Sequence, residues 1–267
     1  MRLVVRTWNL FHGNASPPER RAFLHEMVRL VIADRPDVVL LQELPVWALR
    51  RLNGWSGMTS VSAVAARPKL PPELGRIVTD LNHGLFRSAF TGQANALLLC
   101  PPQRVEEHRV LVLNPVGFRR STARRLGLPL VDRLAWARER RVCQVVRVRG
   151  GDGSALVAAN LHATGYRPHK HFADAELLRA ATFVDGFARP DEPVLLGGDF
   201  NLTTRSSRVL PQLLGPEWGF EGATPDAIDH ILSRGLALGP PIRWPKGRRE
   251  LGDRVLSDHA PVERRDA

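Results

Sequence analysis

Short apolar runs alternate along the chain with polar, glycine-containing stretches, and the spacing of the apolar positions changes from run to run. Residues 2–8 read as a strand. Pro17 and Pro18 then precede Phe23, Met27, Leu30 and Val31, which share one face at helical spacing; this predicts a helix that starts at the prolines and is ended by Pro36. Residues 37–42 form an apolar strand, the pattern of a sheet covered on both faces. Further strands are predicted over 94–100, 141–148, 156–161 and 194–197. A helix is predicted over 173–187, with Leu177, Ala180, Phe183, Val184 and Phe187 inward. Residues 228–232 and 260–262 close the pattern. Residues 45–92 mix proline, glycine and polar positions in short periodic pieces and predict no definite order of elements.

Strands separated now by helices, now by long loops, predict the α+β class, with two packed sheets and helices outside. No repeat, low-complexity linker or shift of composition divides the chain, so one domain over 1–267 is expected. The longest apolar runs, 38–41 and 97–100, fall far short of the roughly 20 residues that span a bilayer. No stretch reads as an exposed amphipathic or aromatic hairpin for docking on a membrane. The first residues enter a strand-like run without the basic region and the apolar stretch of a secretory signal, which predicts a cytoplasmic protein. Oligomeric state leaves no mark on the sequence.

Composition sharpens this picture in two places. Hydrophobic residues make up 43% of the chain, enough for a sizeable core. The net charge is +11, and almost all of the positive charge is arginine, with lysine only at positions 69, 170 and 246. An arginine-rich surface suits a polyanion such as a nucleic acid. A GC-rich coding sequence gives the same bias without selection for binding. Cys100 and Cys143 both sit in apolar runs and are expected to be buried free thiols rather than a zinc site or a disulfide.

The candidate chemistry lies at the ends of the apolar strands. Asn9, Glu43, His162, and Asp199 with Asn201 each follow one; Asp229 lies within 228–232, and Asp258 with His259 precede 260–262. If these ends converge, one pocket holds several carboxylates, two carboxamides and two imidazoles. Carboxylate and amide oxygens are hard ligands that suit Mg²⁺ or Mn²⁺ rather than zinc. A histidine backed by a carboxylate can take a proton from water near neutral pH. Asp229 and His230 alternate across a strand, so only one faces the pocket; Asp229 is expected there, with His230 structural. His12, His83, His169 and His171 are expected to be solvated loop side chains.

Six short motifs occur in order: Thr7-Trp8-Asn9, Leu41-Gln42-Glu43, Asn160-Leu161-His162-Ala163, Gly198-Asp199-Phe200-Asn201, Ile228-Asp229-His230-Ile231 and Ser257-Asp258-His259. Each is weak alone, but the ordered set from residue 7 to residue 259 resembles the endonuclease/exonuclease/phosphatase superfamily. The resemblance implies a four-layered α/β sandwich of two mostly antiparallel sheets, and Mg²⁺-dependent hydrolysis of phosphate esters. It implies Glu43 as principal metal ligand with Asn9 and Asp258 beside it. It further implies Asp199 and Asn201 as the pair that orients the attacking water and the phosphate, His259 as general base held by Asp229, and His162 as the second histidine at the phosphate or leaving group. Where the deoxyribonuclease branch has a glutamate behind that second histidine, a rough alignment lands on Gln93, beside Asn95; Asn95 is a candidate phosphate contact or a strand-start amide. The chain also departs from the abasic-site repair branch, reading Gln42-Glu43-Leu44-Pro45 where that branch has Gln-Glu-Thr-Lys.

Arg119, Arg120, Arg124 and Arg125 are expected either to flank a nucleic-acid groove or to form an ordinary solvated loop, and so are Arg243, Lys246, Arg248 and Arg249. A nuclease for DNA or RNA is the leading expectation. The alternatives are a hydrolase of a small or lipid phosphate ester, such as an inositol phosphate or sphingomyelin, and a nonenzymatic binding module on the same scaffold. The last predicts losses among Glu43, Asp199, Asp258 and His259, and all four are present.

Overall fold

The computed structural model describes residues 3–81 and 87–266; His83 and Arg2 lie outside them. In chain order the strands are β1 (Val4–Asn9), β2 (Ala15–Ser16), β3 (Val38–Leu44), β4 (Thr59–Ala66), β5 (Gln93–Leu99), β6 (Arg104–Val112), β7 (Val142–Arg149), β8 (Ala155–His162), β9 (Val194–Asp199), β10 (Asp229–Arg234), β11 (Ile242–Arg243), β12 (Glu250–Leu251), β13 (Arg254–Leu256) and β14 (Val262–Arg265). The helices are α1 (Leu24–Val31), α2 (Leu52–Ser56), α3 (Pro72–Leu81), α4 (Arg87–Thr91), α5 (Val116–Arg125), α6 (Leu130–Ala137), α7 (His171–Asp185) and α8 (Leu210–Leu213).

Two large sheets have the orders β11-β14-β1-β3-β5-β4 and β10-β9-β8-β7-β6, and β12-β13-β2 form a small third sheet. Among the described residues, the two large sheets pair in parallel only at β1–β3 and β8–β9. The sheets pack face to face through Val5, Val38, Leu40 and Leu97 on one side and Val146, Ala158, Leu195 and Ile231 on the other. α1 and α2 cover the outer face of the first sheet through Met27, Val28 and Leu52. α7 and α8 cover the second through Leu177, Ala180, Val184 and Leu210. The result is the expected four-layered α+β sandwich. Its central strands are apolar on both faces because both faces are covered, and each fully buried leucine contributes about 1.5–3 kcal/mol relative to exposure.

Several expectations need correction. The first helix begins at Leu24, not at Pro17 and Pro18, which lie in the connection before it. Residues 45–92, for which the sequence predicts no definite order, hold, among the described residues, a 3-10 helix (Val46–Arg51), α2, β4, α3 and α4. Arg119, Arg120, Arg124 and Arg125 lie on helix α5 rather than in a loop, and α5 pairs with α6 as a helical hairpin between β6 and β7. The sequence reading missed edge strand β6, which is exposed or half-buried along its whole length.

Two inter-sheet clasps join the sheets below Glu43 and His162. Gln42 donates to Thr7 Oγ1 at 3.0 Å and to Asn160 Oδ1 at 2.8 Å. Asn160 donates to the carbonyls of Leu41 and Ala96. These two motif residues thus tie one sheet to the other.

Candidate active site

Register brings the strand ends together. Asn9 is level with Gln42 in the parallel β1–β3 pair. His162 and Asp229 both lie opposite Asp199. A strand ends where its next side chain must leave the dry interface, so its first polar residues line the rim of the sandwich.

Asp199 Oδ2 is the meeting point. Asn9 Nδ2 donates to it at 3.0 Å. His162 Nε2 lies 3.4 Å from it and His259 Nε2 3.8 Å. Asp199 Oδ1 accepts from the backbone N–H of Asn201 at 2.9 Å, and Asn201 Nδ2 donates to the Ala163 carbonyl. Gly198 is required here: at φ 132° an added Cβ would meet the Leu161 carbonyl oxygen at 1.9 Å. Burial and the nearby Asp229 charge push the Asp199 carboxyl upward.

Glu43 lies across the pocket, with 19% of its side chain exposed. Burial raises its pKa, against the pull of the Arg141 charge and the Asn9 amide. His162 Nε2 is 3.7 Å from Glu43 Oε1, and His12 Nε2 is 3.8 Å from Glu43 Oε2. His12, expected in solvent, is instead buried at 6% exposure. Asp258 is exposed at the pocket mouth, where its charge acts on both Glu43 and His259.

His259 Nδ1 donates to Asp229 Oδ2 at 2.8 Å. Burial opposes the imidazolium, but that bond and the charges of Asp229, Asp199 and Asp258 outweigh it and push the pKa up to about 10. His230 points to the opposite face, where it bonds the Thr224 N–H and the Leu202 carbonyl. The 257–259 turn is tied down on several sides. Trp8 Nε1 donates to the His259 carbonyl, Ser257 Oγ donates to the Asn9 carbonyl, and Arg249 Nη1 reaches the carbonyls of Leu256, Ser257 and His259 at 3.1, 2.7 and 3.3 Å. Arg249, assigned from sequence to a nucleic-acid groove or a solvated loop, is an anchor of this turn. Arg248 stacks 3.5 Å over Trp244.

The sequence reading missed Arg141. Its Nη1 lies 2.9 Å from His162 Nδ1 and 3.2 Å from Nε2, and its Nη2 pairs with Glu139. Gln93 Nε2 lies 3.3 Å from the same Nδ1. Both partners are donors, so Nδ1 accepts and the neutral ring carries its proton on Nε2, facing Asp199 and Glu43. Burial, then the Arg141 charge, hold the His162 pKa well below its usual value. Asn95 donates to the Val142 carbonyl at 3.3 Å, bridging the two sheets.

The residues present suit a hard divalent cation. Asp199, Asp229 and His259 offer ligand atoms within 4.8 Å of one another, with Glu43 facing Asp199 from across His162. Buried carboxylates of raised pKa are groups whose charge a bound cation would stabilise.

The α5–α6 hairpin rises from the end of its sheet that carries His162. Val112 and Val142, which flank it, pair with each other, and Cys143 pairs with Leu161 beside His162. Arg120, Arg124 and Arg125 are exposed, whereas Arg119 donates to the Trp136 carbonyl. The hairpin also exposes Leu130, Val131 and Leu134 at 69, 65 and 60%. Leu130 and Leu134 line one groove with Arg119, Arg120 and Arg124, so aliphatic and arginine positions scattered in sequence are adjacent in space. Beyond the pocket, His169 pairs with Asp132 at 3.0 Å and stacks on His171, so neither is a plain solvated side chain. Among the described residues no helix is long and apolar enough to cross a membrane.

A family model described as Endonuclease/Exonuclease/phosphatase matches residues 7–259. No curated protein matches the sequence. Among solved structures, the fold is similar to an endonuclease/exonuclease/phosphatase from Bacteroides vulgatus (TM-score 0.67, 13% identity, covering 99% of this chain and 98% of that one). It is also similar to the human Nocturnin catalytic domain (0.68, 14%, covering 99% and 92%) and to TDP2 from Caenorhabditis elegans (0.62, 16%, covering 99% and 74%). With the matched segment reaching from Thr7 to His259, this chain belongs to the endonuclease/exonuclease/phosphatase family, whose members are metal-dependent hydrolases of phosphoester bonds.

Proposed function

We propose that this protein is a phosphodiesterase that uses Mg²⁺ or Mn²⁺ to cleave the backbone of DNA or RNA. The observation that carries the reading is the convergence of Asn9, His162 and His259 on Asp199 Oδ2, with Asp229 behind His259. A divalent cation, when bound, polarises a phosphoryl oxygen and offsets the charge that develops there; Glu43, Asn9 and Asp258 are the residues assigned to hold it.

Asp199 and Asn201 orient the attacking water. His259 takes its proton at Nε2, while Asp229 holds Nδ1 and stabilises the imidazolium that forms. With its pKa near 10, His259 is already protonated at neutral pH, so it becomes a base only once the carboxylate charge around it is offset. His162, neutral and protonated on Nε2, donates a hydrogen bond to the phosphate and does not deliver a proton as an acid. The exposed arginines of α5 receive the neighbouring phosphates of a polymeric substrate.

A second reading, hydrolysis of a lipid phosphodiester, is favoured by one observation. Leu130, Val131 and Leu134 lie exposed beside those arginines, and aliphatic side chains gain more from acyl chains than from a nucleic-acid backbone. The experiment is an activity panel with added Mg²⁺ or Mn²⁺ and a chelator control, covering a small activated phosphodiester, plasmid DNA, single-stranded DNA, RNA and sphingomyelin. Chelator-sensitive cleavage of DNA or RNA supports the nuclease reading. Cleavage of sphingomyelin alone replaces it with the second, and no cleavage of any phosphodiester overturns both.

A further inference from the structure

β1 and β3 run parallel, and left-handed backbone stands just beyond the end of β1 and in a bulge of β3 between Leu41 and Leu44. Beyond Asn9 the chain passes through Phe11 and His12 at φ 46° and 54°; beyond Gln42, Glu43 stands at φ 54°. Left-handed backbone at residues other than glycine is strained, persists only where the surroundings over-determine it, and gathers at functional sites. The turn after β1 and the bulge in β3 have one product in common. They aim an imidazole and a carboxylate at each other, with His12 Nε2 3.8 Å from Glu43 Oε2.

That separation is too long for a hydrogen bond. It matches two ligands of one cation, since donors each about 2.1 Å from a shared ion stand roughly 3–4 Å apart. The other two imidazoles of the pocket are engaged differently. Both ring nitrogens of His162 lie within 3.2 Å of the Arg141 guanidinium, whose charge opposes a cation there. His259 gives Nδ1 to Asp229 and turns Nε2 toward Asp199.

We propose that His12 is a nitrogen ligand of the cation held by Glu43, and that it shifts the preference of the site from Mg²⁺ toward Mn²⁺ or another first-row transition ion. Mg²⁺ seeks an octahedron of oxygens, whereas imidazole is a ligand of transition ions. The inference rests on the reading of Glu43 as a cation-binding residue and adds a residue whose position was assigned to solvent from sequence alone.

The probe is Mn²⁺ itself, added to the full chain. Pulsed electron paramagnetic resonance reads nitrogen coupling to the bound ion, and calorimetry gives affinities for Mn²⁺ and Mg²⁺. The expected result is a nitrogen coupling in the parent that disappears in His12→Ala and His12→Asn and persists in His162→Ala. Mn²⁺ binding should weaken about tenfold or more in both His12 variants, while Mg²⁺ binding changes less than about twofold. Asparagine tolerates left-handed backbone, so His12→Asn keeps the turn and separates loss of the ligand from loss of the fold. Bound Mn²⁺ without nitrogen coupling in the parent overturns the inference and leaves the role of Glu43 standing. So does coupling that survives in both His12 variants. No Mn²⁺ binding, or binding unchanged in Glu43→Gln, overturns the role of Glu43 and this inference with it.

Discussion

His259 Nδ1 stands 2.8 Å from Asp229 Oδ2, and this contact sets the charge of the imidazole. With the nearby Asp199 and Asp258 charges, it overcomes the effect of burial and lifts the pKa to about 10. A histidine raised this far above its ordinary value near 6.5 adds stability that is complete below about pH 6.5 and is lost as pH rises toward 10. In chelator, the melting temperature of the parent should therefore fall between pH 7 and pH 10 more steeply than that of His259→Gln. Parallel curves for the two proteins would show that the Asp229 contact does not hold the charge.

In the proposed function the same pair also governs turnover. His259→Ala should lower kcat by ~10²–10⁴, the usual worth of a positioned acid–base group. Asp229→Asn keeps the imidazole and removes its orientation and charge support, so it should cost less. A larger loss in Asp229→Asn, in steady-state assays on a small activated phosphodiester, would contradict the assigned roles.

For the metal, Glu43→Gln exchanges an acceptor-only carboxylate for a neutral amide. The variant should keep its fold, since Glu43 lies at the rim rather than in the core, and should need far more Mg²⁺ to reach half-maximal rate. Metal titration of the rate together with circular dichroism checks both halves. An unchanged metal requirement removes Glu43 from the site.

Legibility in the sequence followed how each residue gets its job. Asn9, Glu43, His162, Asp199 and Asp229 could be found because each ends or begins an apolar strand, and sheet register brings such ends together. Arg141, His12 and Arg249 could not. Arg141 reads as one more arginine before a strand, and its role comes from the pairing of β7 with β8, which places it against His162. His12 reads as a loop histidine, and only the left-handed turn at Phe11 and His12 folds it back onto Glu43. Arg249 reads as part of a basic run, while its guanidinium serves three carbonyls of the 256–259 turn. The α5–α6 hairpin was missed because its exposed leucines and arginines interrupt the periodicity that marks a buried helix face. Edge strand β6 lacks such a face for a similar reason.

Arg141 carries a prediction of its own. Its guanidinium donates to His162 and charges the floor of the pocket, so Arg141→Ala frees the ring and removes a cation near the phosphate. We expect kcat/KM to fall roughly 10²-fold, comparable to loss of one preorganised donor to a developing charge. Arg141→Lys should recover little, because a single ammonium cannot reproduce the planar fork that meets both His162 and Glu139. Full recovery in the lysine variant would reduce Arg141 to a point charge.

The substrate is tested at the hairpin. Arg120, Arg124 and Arg125 are exposed, while Arg119 holds the Trp136 carbonyl and belongs to the structure of the hairpin. Replacing the three exposed arginines with alanine and keeping Arg119 therefore removes charge without unpicking α5 from α6. If the substrate is duplex DNA, each arginine that meets a phosphate releases counterions, and the log–log slope of affinity against salt is roughly −0.9 per contact. The triple variant should bind DNA more weakly and with a flatter slope, by up to about three such steps, while cleavage of a small activated phosphodiester stays near the parent rate because that reaction needs only the pocket. Leu130→Ser combined with Leu134→Ser is the complementary probe. Those side chains carry no charge, so the salt slope should not move, and DNA binding should change little. A substrate presented in a lipid surface reverses the pattern: the leucine variant loses activity on vesicles, and the parent shows weak salt dependence on DNA. Observing that reversal would transfer the arginines and leucines together to a membrane-facing role and withdraw the nuclease assignment, with the chemistry of His259, Asp229 and Asp199 left as it stands.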